Sequence, residues 1–173
     1  MAGRPQLIHG TTQVLYGGMQ RLSEALVISI KNRSHSITAD ISMPEGGASG
    51  VVVAQGSAFG GWAVYFVEGR PAYCYNLFGL RRFKVYGARA IPAGEHQVRA
   101  EFAYDGGGLA KGGTVTLYVD GAQVGEGRVD GTEPMIFSGD ETTDVGADTG
   151  TPVSDDYAAG ENGVTGTVHR VAI

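Results

Sequence analysis

A single cysteine in 173 residues, Cys74, excludes two kinds of structure. An intrachain disulfide needs a second thiol, and a multi-cysteine metal site needs several. No apolar run reaches the roughly 18 residues of a membrane-spanning helix. The opening Met-Ala-Gly-Arg-Pro-Gln lacks the apolar core of a secretory signal. Apolar positions at helical spacing are not sustained over any stretch of about ten residues, so amphipathic helices are not expected. Positive charge is scarce toward the C-terminus. Residues 1–128 hold 12 basic and 9 acidic side chains, whereas residues 129–173 hold 1 and 9, and the net charge is −5. Such a tail repels phosphate, so nucleic acid is not an expected partner.

Glycine is what the chain has in excess, 29 residues in all. It follows no three-residue period, which excludes collagen. It clusters between short alternating segments, as where many strands are joined by tight turns. The clearest case is Tyr104–Val129. Five glycines between Tyr104 and Gly113 mark a turn. Then Val115, Leu117 and Val119 alternate with Thr114, Thr116, Tyr118 and Asp120, the pattern of a half-buried strand. Asp120-Gly121 predicts a two-residue hairpin, and Val124–Val129 predicts the returning strand.

Similar alternation predicts strands at Leu26–Ile30, Ile37–Ile41, Phe83–Val85, Val98–Tyr104 and Val164–Ile173, with Tyr73, Tyr75 and Leu77 sharing one face. Val51–Ala54 and Trp62–Val67 are continuous apolar runs, expected of strands covered on both faces. About ten strands with turn chemistry between them predict an all-β fold, an antiparallel β-sandwich. Residues 1–24 read as a linker or lead-in, and 25–173 as the sandwich domain.

Candidate sites are few. Asp140, Glu141, Asp144, Asp148, Asp155 and Asp156 fall in one stretch without a Lys or Arg from 129 to 169. Calcium, which takes roughly six to eight oxygens, is a candidate ligand for segment 140–156, although the spacing fits no EF-hand loop. Phe59 and Trp62 among glycines form a candidate sugar-stacking platform, with core packing as the alternative for Trp62. Arg81, Arg82, Lys84 and Lys111 are the cations on which a sulfated glycan would draw. His9, His35, His96 and His169 are scattered and read as surface or edge residues. Cys74 reads as a small buried hydrophobe. Asn32-Arg33-Ser34 fits a glycosylation acceptor, a pattern common by chance.

Five stretches together resemble the C-terminal domain of bacterial type I arylsulfatases. They are Asn32–Asp40, Phe59–Trp62, Tyr75–Gly79, the glycine-rich turn Tyr104–Gly113, and Asp140–Val153. The resemblance runs from about residue 24 to the end of the sequence. It implies a jelly roll of the concanavalin A-like and laminin G-like type, appended to a catalytic α/β domain. In that family a Cys or Ser in the pattern C/S-x-P-x-R becomes formylglycine and works beside a bound calcium. Here Cys74 is followed by Tyr75 and Asn76, and Ser42-Met43-Pro44-Glu45-Gly46 has glycine where arginine must stand. No catalytic, cofactor or metal residue carries over.

The expectation is therefore a chain that is not itself an enzyme. It would be an accessory domain packing against a sulfatase catalytic domain in cis and helping to shape the rim of its active site. The docking elements would be turn 104–113 and the acidic segment. Two alternatives remain open at this point, a carbohydrate-binding module for sulfated glycans and a self-associating structural domain that forms a homodimer. The resemblance is to a bacterial family and implies no single compartment, cytoplasm or periplasm.

Overall fold

The computed structural model describes residues 7–139 and 142–173. Among them eleven strands run in the order β1 (Val14–Tyr16), β2 (His35–Met43), β3 (Gly50–Ser57), β4 (Gly60–Val67), β5 (Arg70–Leu77), β6 (Arg81–Tyr86), β7 (Gly94–Tyr104), β8 (Lys111–Val119), β9 (Ala122–Gly131), β10 (Thr143–Val145) and β11 (Thr167–Ala172). They form two sheets, β1-β11-β2-β7-β8-β9 and β10-β3-β4-β5-β6, with every named pair antiparallel. The fold is the expected all-β sandwich.

In the first sheet, alternation decides the layering. Ile37, Ala39, Ile41, Val98, Ala100, Phe102, Val115 and Leu117 enter the core between the sheets. Their strand neighbours Thr38, Arg99, Glu101, Thr116 and Tyr118 take the other face, because successive side chains point to opposite sides. The second sheet has no such wet face. Val53, Trp62, Val64, Phe66, Tyr73 and Tyr75 fill the core, and Val51, Ala54, Ala63, Tyr65, Ala72 and Cys74 form a second buried cluster on the opposite face. The register shifts between Val51 and Val53, so Val52 and Val53 both enter the main core.

One local reading is corrected. Leu26–Ile30 is not a strand: Glu24–Leu26 forms a 3-10 turn, and Val27, Ile28 and Ile30 are buried without a ladder. The Gln13 side chain replaces the missing neighbour strand, accepting from the Ile28 N–H at 2.7 Å and donating to the Leu26 carbonyl at 2.9 Å. Part of the lead-in is built into the sandwich, since β1 pairs with β11 and Leu15 is buried. The acidic segment contributes β10, which pairs with β3.

Candidate functional site

Four connections meet at one end of the sandwich: the β3–β4 turn, the β5–β6 turn, the β7–β8 loop and the segment after β9. Side chains fix their backbones to one another. Asn76 donates to the Ser57 and Ala58 carbonyls, each at 3.0 Å, and accepts from the Gly79 N–H at 3.0 Å. Asn32 accepts from the Ala110 N–H at 2.9 Å and donates to the Pro134 carbonyl at 2.8 Å. The Thr132 hydroxyl donates to the Lys111 carbonyl at 2.7 Å.

From this fixed rim large apolar side chains project into solvent. Phe59 is 75% exposed, Phe78 53%, Leu80 84%, Leu109 67% and Met135 64%. Phe78 has φ 54°, in the left-handed region that a bulky aromatic residue rarely enters. Beneath the rim lies Glu133, 1% exposed. Its Oε1 accepts from the Phe78 N–H at 2.8 Å, and its Oε2 has no hydrogen-bond partner. Burial pushes this carboxyl up to about 7. The backbone of Gly60 lies against it, so closely that a Cβ there would stand 2.2 Å from Oε1. Sequence reasoning missed Glu133 and the apolar rim, apart from Phe59 and the glycine-rich turn.

The predicted docking elements divide. The glycine-rich turn belongs to the rim and presents Leu109. Tyr104 braces it, donating to the Gly108 carbonyl at 2.6 Å and accepting from the Lys111 N–H at 2.9 Å. The acidic segment instead docks on its own chain. Residues 148–163 form a strap over the outer face of the second sheet, with Val153 and Tyr157 packed on Tyr65, Ala72 and Cys74.

The carboxylates of this segment are engaged by the chain's own donors. Asp144 accepts from the Arg21 N–H at 2.5 Å and from the Thr149 N–H at 2.8 Å. Asp148 accepts from the Val153 N–H at 3.0 Å and the Tyr157 hydroxyl at 2.7 Å. Lys84 reaches Asp155 and Asp156, each at 2.6 Å, and the hydroxyls of Tyr65 and Tyr86 donate to Asp156. Burial alone would raise the Asp156 carboxyl, but Lys84 and the two hydroxyls hold it below the ordinary value. Among the described residues no three His, Cys, Asp or Glu side chains gather as a metal-holding group, and Asp140 and Glu141 lie outside those residues.

The sugar-platform pair separates as well. Trp62 is fully buried, its indole N–H donating to Gln55 at 3.0 Å, while Phe59 stands on the rim. Of the four cations on which a sulfated glycan was expected to draw, Arg81 pairs with Asp130, and Arg82 and Lys84 pair with the strap. Lys111 makes no ion pair among the described residues.

Cys74 lies under the strap, and burial pushes its thiol up to about 12, far from nucleophilic use. Ser42 contacts Glu95, and its Oγ lies 2.6 Å from His169 Nε2. Glu95 meets that same nitrogen at 3.2 Å, so the imidazole does not relay between the other two as a catalytic triad requires. His96 bonds to Asp120 at 2.6 Å, and His35 is half-buried beside Phe102.

No protein-family model and no curated protein matches the sequence. Solved structures do match in fold. Domains LG4-5 of the mouse laminin α1 chain superpose over 99% of this chain with a TM-score of 0.54 and 18% identity. The chain spans 40% of the length of that LG4-5 structure. The CBM40 module of the Ruminococcus gnavus IT-sialidase, solved with α2,3-sialyllactose bound, superposes over 94% of this chain and 88% of its own, with a TM-score of 0.59 and 11% identity. The receptor-binding domain of botulinum neurotoxin type G covers 94% of this chain and 41% of its own, with a TM-score of 0.50 and 10% identity. At such identities the likeness shows architecture: the chain is a jelly-roll sandwich of the concanavalin A-like and laminin G-like type.

Proposed function

We propose that this chain is a non-catalytic accessory domain whose apolar rim packs against a second folded domain, the catalytic domain of an arylsulfatase joined in cis. The observation that carries the docking is the rim. Five large apolar side chains stand exposed on turns whose backbones are already fixed by hydrogen bonds. Such a surface loses little entropy on binding, and each side chain that a partner covers contributes about 1.5–3 kcal/mol. The sequence resemblance names the partner. The test supplies a sulfatase catalytic domain in trans and measures its association with this chain. Leu80→Ser with Leu109→Ser should weaken it at least tenfold, about 1.4 kcal/mol. Equal affinity would remove the rim from the interface. The isolated chain should hydrolyse no nitrophenyl sulfate, and a second copy on the rim would appear instead as a dimer in sedimentation.

Carbohydrate binding is the second reading. It is favoured by the shared fold with a module solved with sialyllactose bound. With Arg81, Arg82 and Lys84 already paired to the chain's own aspartates, such binding needs a different cation.

A further inference from the structure

Beside the start of β2 lies a groove of about 340 Å³. That is within the roughly 300–1,000 Å³ range of small-molecule clefts. Its lining combines apolar side chains, among them Ile28 and Ile30, with hydroxyls. Thr11 and Thr12 come from the N-terminal segment, and Ser36 and Thr38 from β2. Hydroxyls both donate and accept, which suits a polyol. No Asp or Glu lines the groove.

Its one ionised side chain is Arg33. Eight of the twelve described Lys and Arg residues pair with carboxylates of the chain, and exposed Arg33 is among the four that do not. His35, next in the lining, carries no charge at neutral pH, since burial pushes its imidazole down to about 4. Its Nδ1 lies 3.1 Å from the Arg33 carbonyl, which makes Nδ1 the donor and leaves Nε2 an acceptor. That Nε2 is buried and has no hydrogen-bond partner.

We propose that this groove binds a single acidic sugar residue, with Arg33 pairing its carboxylate or sulfate and the Ser and Thr hydroxyls of the lining meeting its ring hydroxyls. The site rests on the carbohydrate-binding reading and is independent of the docking rim. A guanidinium takes either oxyanion in a two-pronged contact, so the source of the anion is left to the experiment.

The ¹⁵N-labelled chain is titrated with glucuronic acid, N-acetylglucosamine 6-sulfate, neutral glucose and sodium sulfate while backbone amide signals are followed. The acidic sugars should shift Ser36, Thr38 and Ala172, and whichever binds tighter identifies the anion. Glucose should bind at least about tenfold more weakly, and Arg33→Gln should cost the acidic sugars a similar factor, as expected for a lost charge-assisted pair. Ser36→Tyr, which fills the groove from an exposed position, should abolish the shifts while the remaining spectrum stays dispersed. Sodium sulfate matching the sugars would mean an adventitious ion only and overturn the site. Shifts by acidic sugars at other residues would keep carbohydrate binding and discard this groove. No shift with any probe would discard both.

Discussion

Buried Glu133 and half-buried His35 lie near the same end of the sandwich and titrate in opposite senses. Burial raises Glu133 from 4.5 to about 7, against the Phe78 N–H and Lys31 that favour its charge and with Glu24 that disfavours it. Burial lowers His35 from 6.5 to about 4, aided by the positive charge of Arg33. The raised carboxyl stabilises the fold fully below pH 4.5, and that contribution is lost as pH rises through 7. The depressed imidazole stabilises it above pH 6.5, and that contribution is lost as pH falls through 4. Between 4.5 and 6.5 the folded chain therefore holds one proton more than the unfolded chain at Glu133 and one fewer at His35. The two slopes cancel, and the native protein should show a flat stability profile in that window. Each slope alone is 1.36 kcal/mol per pH unit, so about 2.7 kcal/mol across the window, which solvent near the turns reduces to roughly 2 kcal/mol. Urea unfolding at pH 4.5, 5.5 and 6.5 with constant m-values reads it directly. Glu133→Gln should lose about 2 kcal/mol of stability as pH falls across the window, His35→Gln should gain about as much, and the double variant should be flat again. The aspartates held low by cationic partners, Asp40, Asp105 and Asp155 among them, release their contributions at lower pH and leave the window clear. A Glu133→Gln profile as flat as that of the native chain would refute the reasoning.

The strap gives two more expectations. Lys84→Met removes the ammonium that holds Asp156 and Asp155, leaving a half-buried carboxylate whose burial then raises its pKa, so the acid-unfolding midpoint should move to higher pH. An unchanged midpoint would mean that the two tyrosine hydroxyls suffice. Val153→Ala opens a cavity against Cys74 and Tyr65, at a cost of roughly 2 kcal/mol in urea unfolding. The same variant should speed labelling of Cys74 by a thiol reagent, and an unchanged labelling rate would show that opening of the strap is not what exposes the thiol.

What was legible in the sequence follows from what is local. β7 and β8 announce themselves because one face is dry and one wet, so period-two alternation survives in the residues. The runs around Val51–Ala54 and Trp62–Val67 correctly signalled cover on both faces, but not what provides it. The cover is the acidic segment, whose partners Tyr65, Lys84 and Tyr86 lie 91, 72 and 70 residues from Asp156 in the chain. No local pattern encodes such pairings, so the run of aspartates reads as a calcium candidate without showing that Asp144, Asp148, Asp155 and Asp156 also fasten the segment to its own chain. β1 and β10 are three residues each, too short for a period to show. Leu26–Ile30 alternates without being a strand because a side-chain amide, not a neighbouring strand, meets its backbone. Thr132-Glu133-Pro134 carries turn residues and nothing that marks the glutamate as buried.

The two ends of the sandwich provide a comparison that isolates the purpose of the rim. Three turns open with a non-glycine residue in the left-handed region followed by glycine: Glu68-Gly69, Phe78-Gly79 and Asp120-Gly121, with φ of 50°, 54° and 49° at the first position. Glu68-Gly69 and Asp120-Gly121 lie at the end opposite the rim and put a carboxylate at that position. Phe78-Gly79 lies at the rim and puts an aromatic ring there, although Asn or Asp takes this conformation with less strain. The outer face of the second sheet is occupied by the strap, and that of the first is polar, with Arg99 over the Tyr118 ring at 4.4 Å. Phe78 thus puts an exposed aromatic ring where the backbone is in the left-handed region. Phe78→Asn should relieve that strain and raise the stability of the isolated chain by roughly 1 kcal/mol. In the association assay with a catalytic domain the same variant should bind more weakly. A change that stabilises the fold and weakens the complex separates a surface kept for a partner from one kept for folding. If Phe78→Asn destabilised the isolated chain instead, the ring would belong to the fold and the rim would lose its strongest argument.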